Sequence, residues 1–392
     1  MTRAASAPEP CPAPAGKRRL SVPAALVAAG ALAAAASRVP SVGPAGFEIP
    51  PASAAEGPGE TAVELPPGAP AAHAPTLAVL PGGDLIVAWF AGSREGARNV
   101  SIRMARLSGG RIVAEWESLT RPQLERLVQR RVSKLGNPVL HIAPDGSVQL
   151  FVVSVSVGGW AGSSVNHLRS GDGGRTWLSA RRLVISPFLN LGTLVRTPPV
   201  ALDDGSILLP AYHEFVRKWG MTLRIAPGGQ VVGVSRIRGE TGLLQPAVAP
   251  IDRTRAVALL RSASSARPRV FRSVTGDAGA TWVPASATEI PNADNSVALV
   301  RLADGRLLAA ANPSETTANT LALIVSDDGE GSWRTARTVE SSPRPDDQFR
   351  YPALAQSPDG TIHLAYSVNR KAIRVRSLPP SALRADRGTA GP

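Results

Sequence analysis

The sequence contains a single cysteine, Cys11, among its 392 residues. Because Cys11 precedes the first apolar run, it is not placed like a lipoprotein cysteine, and the chain beyond it has no disulfides to stabilise it. Only five histidines are present, and their spacing matches no pattern of metal ligands. The sequence therefore predicts a fold that depends on its apolar core, with no metal and no cofactor.

Lysine is scarce as well, because only four of the 43 basic residues are Lys and the rest are Arg. The formal net charge is +13, and the arginines are spread along the chain. A nucleic-acid-binding protein usually concentrates its basic residues on one face. We therefore expect no nucleic-acid partner and interpret the charge as a bias toward anionic ligands.

Long apolar runs are absent except at the N-terminus. The basic segment Lys17–Arg19 precedes an apolar stretch from about Leu20 to Ala36, whose Ala-rich end offers small-residue cleavage sites. At about 17 residues this stretch is short for a membrane span, which needs about 20. We assign residues 1–37 as a signal peptide, with an N-terminal membrane anchor as the alternative, and expect a periplasmic or secreted protein. A Pro/Ala-rich linker follows over residues 38–69.

A repeat begins near residue 70 and consists of a Pro, a short apolar run, a Gly/Asp turn and a second β-rich run. Two strands joined by such a turn are typical of a β-hairpin. The six turns are centred on Gly83, Gly146, Gly205, Thr254, Gly305 and Gly360. Six hairpins at this regular period indicate a propeller whose blades have four strands each. The sequence therefore predicts an all-β fold, a six-bladed β-propeller over residues 70–378, with a C-terminal tail over residues 379–392.

Two further expectations concern the edges of this propeller. Residues near Thr61–Leu65 are expected to add an outer strand to the last blade, because closure of the ring removes open sheet edges. The interval of 63 residues between the first two turns is the longest of the five. A short basic helix over Leu124–Leu135, inserted between the first two blades, would account for it.

A second element of eight residues follows the turn in three repeats. The copies run from Ser170 to Trp177, from Thr275 to Trp282 and from Ser326 to Trp333, with Asp172, Asp277 and Asp328 as their acidic residues. The Asp can accept backbone N–H bonds, the Gly permits positive φ, and the Trp can cover the hairpin. This element resembles the Asp-box of bacterial sialidase-like (neuraminidase-like, BNR-repeat) proteins, where it is structural. The resemblance extends from about residue 70 to 378 and is most specific over residues 245–261 and 349–366.

Polar residues recur at the strand ends of the repeats. In a propeller the first strand of every blade lines the axis, so residues at its entry end should form one ring. This inner ring comprises His73, Asn137, Arg196, Gln245, Asn295, Arg350 and Tyr351. Residues after the second strands should form an outer ring on the same face, comprising Arg94, Glu95, Trp160, His213, Glu214, Arg261 and Asn312. The pattern predicts a convergent binding site.

The resemblance to sialidases implies a tyrosine nucleophile, a Glu that activates it, a carboxylic general acid and three arginines that bind a sugar carboxylate. Tyr351 stands at the nucleophile position, and Arg261 stands at the second arginine position. The chain departs from the pattern at three places. Gln245 replaces the activating Glu, His73 replaces the first arginine, and Thr316–Asn319, where the third should lie, contains no arginine.

Other residues are candidates for the roles left open. Arg350, Arg94 and Arg196 are the candidates to replace the missing arginines, and Asn137 is a further candidate for substrate binding. Glu95 and Glu214 are the two candidate general acids, and Glu214 is also a candidate for contacting the substrate.

Three functions are compatible with these residues. The first is a sialidase-like glycoside hydrolase that removes a terminal acidic sugar, sialic acid or an analogue, from glycans. The second is a polysaccharide lyase acting on uronates, with Tyr351 as base or acid and His73 as its partner. The third is a glycan-binding propeller without catalysis, which the loss of the activating Glu would permit. All three predict an acidic glycan as the partner.

Overall fold

The structure, a computed structural model, describes residues 43–52, 55, 57, 59–186, 190–263, 266–329 and 331–383. The predicted signal peptide or anchor at residues 1–37 lies outside the described residues. Among the helices that the structure describes, none is both long enough and apolar enough to cross a membrane.

Six antiparallel sheets, arranged as blades, confirm the six-bladed β-propeller. Strand β1 (Thr61–Leu65) belongs to the last blade. Blade 1 contains β2 (Ala71–Val79), β3 (Leu85–Gly92), β4 (Ser101–Ser108) and β5 (Arg111–Thr120). Blade 2 contains β6 (Lys134–Ile142), β7 (Val148–Val155), β8 (Ser163–Ser170) and β9 (Ser179–Arg182). Blade 3 contains β10 (Thr193–Val195), β11 (Val200–Ala201), β12 (Ile207–Glu214), β13 (Lys218–Ile225) and β14 (Val231–Arg236).

The remaining blades follow the same order. Blade 4 contains β15 (Leu243–Pro250), β16 (Ala256–Ser262), β17 (Arg269–Thr275) and β18 (Ser286–Pro291). Blade 5 contains β19 (Ala298–Arg301), β20 (Leu307–Ala311), β21 (Thr320–Ser326) and β22 (Arg334–Ser341). Blade 6 contains β23 (Phe349–Gln356), β24 (Ile362–Val368) and β25 (Ala372–Leu378), with β1 as its outermost strand.

The ring is closed by β1, as the sequence predicts. Thr61 lies opposite Ser377 and Leu65 opposite Ile373 in an antiparallel pair with β25. Leu65 is fully buried and packs in one cluster with Trp89 of blade 1 and Ile373 of blade 6. A strand from the N-terminal side thus completes the sheet formed by the C-terminal strands. Part of the predicted linker is therefore a blade strand.

The Asp-box turns are held by their acidic side chains. In the first copy, Asp172 Oδ1 accepts the backbone N–H groups of Arg175 and Thr176 at 3.0 and 2.9 Å. Burial by itself would raise the pKa of Asp172. These bonds and those from the Ser170 and Thr176 hydroxyls outweigh it and lower the pKa to about 2. Trp177 Nε1 donates to the carbonyl of Ser118 in the preceding blade at 3.1 Å. The element therefore connects neighbouring blades.

A helix lies between blades 1 and 2, but its predicted bounds are wrong at both ends. Helix α1 spans Arg121–Val128 rather than Leu124–Leu135. Thr120 and Gln123 form a reciprocal capping box at its start. This pair, and not the basic residues, determines where the helix begins. Gln129 adopts a left-handed backbone that ends the helix, and the chain has already entered β6 by Lys134.

Candidate active site

The candidate site lies where the innermost strands lose their regular pairing. β2, β6, β15 and β23 each shift register at the repeat proline. Ala74, Gln245 and Tyr351, each directly before a proline, have left-handed backbones with φ of 52°, 52° and 57°. A residue before proline normally adopts an extended backbone, and such a left-handed residue costs about 1–3 kcal/mol. Bulges of this kind re-aim side chains, here those of Gln245 and Tyr351, which both line a pocket.

This pocket has a volume of about 150 Å³ and is lined by residues of five blades. The lining residues are Glu95, Asn137, Val153, Trp160, Leu194, Tyr212, Glu214, Gln245, Arg261 and Tyr351. Members of both predicted rings therefore lie on one face of the propeller. Residues as far apart in sequence as Glu95 and Tyr351 meet here, because the first strand of each blade begins, and the second strand ends, near the same end of the propeller axis.

Two side chains pack against Tyr351. Its ring lies 4.3 Å from the ring of His73, centroid to centroid. The guanidinium carbon of Arg196 lies 5.0 Å from the centre of the Tyr351 ring. The phenol position is therefore set by packing as well as by the backbone bulge.

Arg196 is buried on the axis and binds the backbone rather than the pocket. Its side chain donates to the carbonyls of Pro75, Tyr351 and Pro352 at 3.1, 2.6 and 2.9 Å. These acceptors belong to blades 1 and 6, whereas Arg196 itself interrupts the inner strand of blade 3 between β10 and β11. Complete burial lowers the pKa of Arg196 to about 10. The structure places this predicted substrate-binding residue in a connecting role across the axis.

His73 is buried beside Tyr351 and is neutral. Its Nδ1 lies 2.7 Å from Ser367 Oγ, whereas its Nε2 is buried and has no hydrogen-bond partner among the residues that the structure describes. Burial, followed by the charges of Arg370, Arg196 and Arg350, holds the pKa of His73 well below its ordinary value. A neutral imidazole with one free nitrogen can still exchange a proton with a neighbouring group.

Gln245 contacts a residue that the sequence analysis missed. Its Nε2 donates to the hydroxyl of Tyr212 at 3.2 Å, and Asn137 Nδ2 donates to the same oxygen at 3.4 Å. Burial and the neighbouring Tyr351 and Glu214 raise the pKa of Tyr212 above its ordinary value. Tyr212 directly precedes the predicted pair His213 and Glu214, so its place at the end of β12 was the available signal.

Three arginines stand near the pocket. Arg261 lines it, with its Nε 3.3 Å from Asp294 Oδ1. Burial by itself would lower the pKa of Arg261, but the neighbouring Tyr351 and Asp294 outweigh it, so the pKa is raised. Arg350 is half-buried with its Nε unpaired, and burial followed by the charge of Arg370 lowers its pKa. Arg370, which the sequence analysis also missed, lies in the tight turn between β24 and β25.

The two candidate acids differ in environment. Glu214 is largely enclosed, and burial raises its pKa despite the nearby Lys218 and Arg261. Glu95 is more exposed and lies 3.5 Å from Arg370. A raised pKa suits a group that must carry a proton at neutral pH. Of the two candidates, Glu214 therefore has the environment better suited to a general acid.

Several predicted residues lie outside the pocket lining. Arg94 is exposed. Asn295 is buried, and within the described ranges neither of its side-chain polar atoms has a hydrogen-bond partner. At the position of the third expected arginine, Asn319 donates to the carbonyl of Ser342 and accepts from Thr317. Among the described residues, no group of three His, Cys, Asp or Glu side chains could hold a metal ion.

The fold and the pocket define this protein as a six-bladed propeller with a polar site at one end of its axis. Its sequence matches the family described as BNR repeat-like domain over residues 83–364, and the chain belongs to that family. Its likeness to BNR-repeat, sialidase-like proteins is thereby confirmed. No curated protein matches the sequence.

Several solved structures share the fold. A Hadza microbial sialidase, Hz136, has 15% identity and a TM-score of 0.68, over 80% of this chain and 66% of its own length. The intramolecular trans-sialidase from Ruminococcus gnavus has 13% identity and a TM-score of 0.64, over 80% of this chain and 95% of its own length. An α-L-arabinanase from Penicillium chrysogenum has 15% identity and a TM-score of 0.59, over 82% of this chain and 98% of its own length. At these identities the likeness shows the fold alone.

Proposed function

We propose that this protein is a propeller glycosidase that removes a terminal acidic sugar, sialic acid or an analogue, from glycans. One observation carries the proposal: a tyrosine on a strained backbone shares a small pocket with Arg261 and two carboxylates. A phenol is a suitable nucleophile beside a carboxylated sugar, because an ionised carboxylate in its place would be repelled. Arg261, together with Arg350, supplies the charge that would bind the sugar carboxylate.

The proposed reaction assigns one role to each group. The Tyr351 oxygen attacks the anomeric carbon while the glycosidic C–O bond breaks, and Glu214 gives its proton to the leaving oxygen. His73 takes the phenol proton on Nε2, since Gln245 has no basic atom. A bound carboxylate would oppose the charges of Arg350 and Arg370, and so make His73 more basic when substrate is present. Water then cleaves the tyrosyl intermediate and returns the protons.

Product analysis tests this proposal. The protein is incubated with sialosides and with uronate polymers, and products are followed by mass spectrometry and ultraviolet absorbance. Release of a saturated acidic sugar is expected. A product with an unsaturated ring, which absorbs in the ultraviolet, would replace the hydrolase by a lyase. Release of nothing from either class of substrate would leave a glycan-binding module.

The lyase is retained as a second candidate because of the contact between His73 and Tyr351. In a lyase, one of the two removes the proton beside the uronate carboxylate and the other protonates the leaving oxygen. The glycosidic C–O bond breaks as a ring double bond forms. Arg261 would neutralise the uronate carboxylate. This reaction needs no activating Glu at position 245.

Gln245→Glu separates the two reactions. In the hydrolase, the new carboxylate can accept the phenol proton, so kcat on the acidic glycoside is expected to rise by about tenfold or more. Asn137→Asp is the matched control, because Asn137 also donates to Tyr212 and lines the same pocket. It should give no such gain. An unchanged or lower rate with Gln245→Glu would count against Tyr351 as a nucleophile that depends on His73 only because position 245 holds no base.

The pH dependence should report Glu214. Because its raised pKa keeps it protonated above the usual carboxyl range, activity is expected to fall as pH rises through that pKa. Glu214→Gln should remove this alkaline limb and lower kcat/KM about a hundredfold on natural glycosides. The loss should be much smaller on an aryl glycoside, whose leaving group needs no proton. If Glu214→Gln kept the alkaline limb of the pH profile and Glu95→Gln removed it, Glu95 would be the general acid instead.

A further inference from the structure

The arginines of this protein are paired differently on the two faces of the propeller. On the face opposite the pocket, the hairpin turns carry aspartates that bind arginines. These pairs are Asp84 with Arg106, Asp145 with Arg169, Asp204 with Arg224, Asp203 with Arg253, Asp252 with Arg255 and Asp304 with Arg306. The charge of these arginines is therefore balanced locally.

On the pocket face, a group of arginines around helix α1 has no such partners. Arg126, Arg130, Arg131 and Arg182, which we call the basic shoulder, form no ion pair with any residue that the structure describes. Arg126, Arg130 and Arg131 are exposed. The one carboxylate of the helix, Glu125, is already paired with Arg121 at 3.2 Å. An excess of positive charge thus remains at this edge of the face.

A cleft of about 620 Å³ lies within the basic shoulder. Arg130 and Arg182 line it together with Gln129 and Asn190. Arg182 donates one N–H to the carbonyl of Asn190, but its Nε is buried without a hydrogen-bond partner in the described part of the chain. Burial and the charge of Arg130 lower the pKa of Arg182. An anion in the cleft would relieve this repulsion.

The cleft is close to the pocket along two segments of the chain. Arg130 lies seven residues before Asn137, and Asn190 lies four residues before Leu194; Arg130 and Asn190 line the cleft, whereas Asn137 and Leu194 line the pocket. At about 3.3 Å per extended residue, these pairs are at most about 23 and 13 Å apart. One ligand of several sugar units could reach both places.

We propose that the basic shoulder binds acidic groups of the same glycan whose end enters the pocket, so that the substrate is a polyanionic glycan chain. This inference rests on the proposed function for its choice of partner. A glycan is favoured over other polyanions because the shoulder and the sugar pocket share one face. Unpaired surface charge also accelerates encounter with a charged polymer, in a manner that salt suppresses.

The test compares two triple variants with equal change of charge. The first is Arg126→Gln, Arg130→Gln and Arg131→Gln; the control is Arg106→Gln, Arg169→Gln and Arg253→Gln on the opposite face. Side chains of the control residues are 52%, 49% and 72% exposed, so loss of their ion pairs should cost little stability. Binding of polysialic acid, polygalacturonate, the two monosaccharides, neutral dextran and duplex DNA is measured by calorimetry at two salt concentrations.

The shoulder variant is expected to bind the acidic polymers about ten- to a hundredfold more weakly at low salt, whereas the control stays close to the wild type. Monosaccharide binding should be the same in all three proteins. Equal losses in both variants, or none in either, would overturn the inference. Duplex DNA bound as tightly as the acidic glycans, with the same dependence on the shoulder, would also overturn it. Shoulder-dependent glycan binding without any turnover would refute the proposed hydrolase and still support the shoulder.

Discussion

Tyr351→Phe is expected to lower turnover by about a thousandfold or more while leaving the fold intact. The substitution removes only the phenolic oxygen, which is the nucleophile in the hydrolase and a proton carrier in the lyase. The ring itself remains to pack against His73 and Arg196, at 4.3 and 5.0 Å. Steady-state kinetics on the cleaved glycan, with a melting curve on the same sample, provide the measurement.

Tyr212→Phe is the matched control for this experiment, because it removes a second phenolic oxygen from the same pocket. Tyr212 accepts N–H bonds from Asn137 and Gln245, and its raised pKa keeps it neutral. We therefore expect a smaller loss of turnover from Tyr212→Phe and a modest loss of stability, about 1–3 kcal/mol for the Gln245 amide left unpaired, because Asn137 Nδ2 keeps its bond to the Val195 carbonyl. If Tyr351→Phe were fully active and Tyr212→Phe inactive, Tyr212 and not Tyr351 would supply the reacting phenolic oxygen.

Arg196→Met is expected to have the largest effect on stability. The guanidinium bridges blade 3 to the carbonyls of Pro75, Tyr351 and Pro352, which lose this donor when it is removed. Loss of three buried hydrogen bonds from a charged donor to backbone carbonyls costs about 3–5 kcal/mol, which lowers the melting temperature by roughly 10 °C. Activity should fall too, because the bond to the Tyr351 carbonyl helps to hold its left-handed backbone.

Arg196→Lys and Arg217→Met provide the comparison. A lysine can keep a charge on the axis but cannot reach three carbonyls as a planar fork does, so partial recovery of stability is expected. Arg217 is exposed on the same blade, in the loop after β12. Its substitution should leave the melting temperature within a degree or two of the wild type. A wild-type melting temperature for Arg196→Met would show that the three carbonyls find other donors.

The repeats explain how much of the fold the sequence could predict. Blade order depends on local signals, a Pro, an apolar run and an Asp turn, and each recurs at the same register in successive hairpins. Closure by Thr61–Leu65 followed from counting strands, because a blade with three strands leaves an open edge. The helix bounds could not be obtained in this way, since the capping pair Thr120 and Gln123 mattered more than the basic residues.

The candidate site was predictable as a set but not in its individual contacts. Register alone places Gln245, Arg261 and Tyr351 on one face, because equivalent positions of a repeat must form a ring about the axis. Register does not tell which polar side chain points into the pocket and which points along the axis. Arg196 of the inner ring and Arg261 of the outer ring were both predicted to bind substrate, yet one binds carbonyls on the axis and the other lines the pocket.

Sequence by itself therefore determined the number of blades, their closure and the face that carries the polar residues, because these follow from local periodicity. Only the tertiary structure decided the partners of each group. Tyr212 and Arg370 come to the site from a strand end and a tight turn that carry no motif. The neutral state of His73 depends on burial and on three arginines distant in the chain. Such properties arise from contacts across the axis, between residues whose separation in sequence has no fixed period.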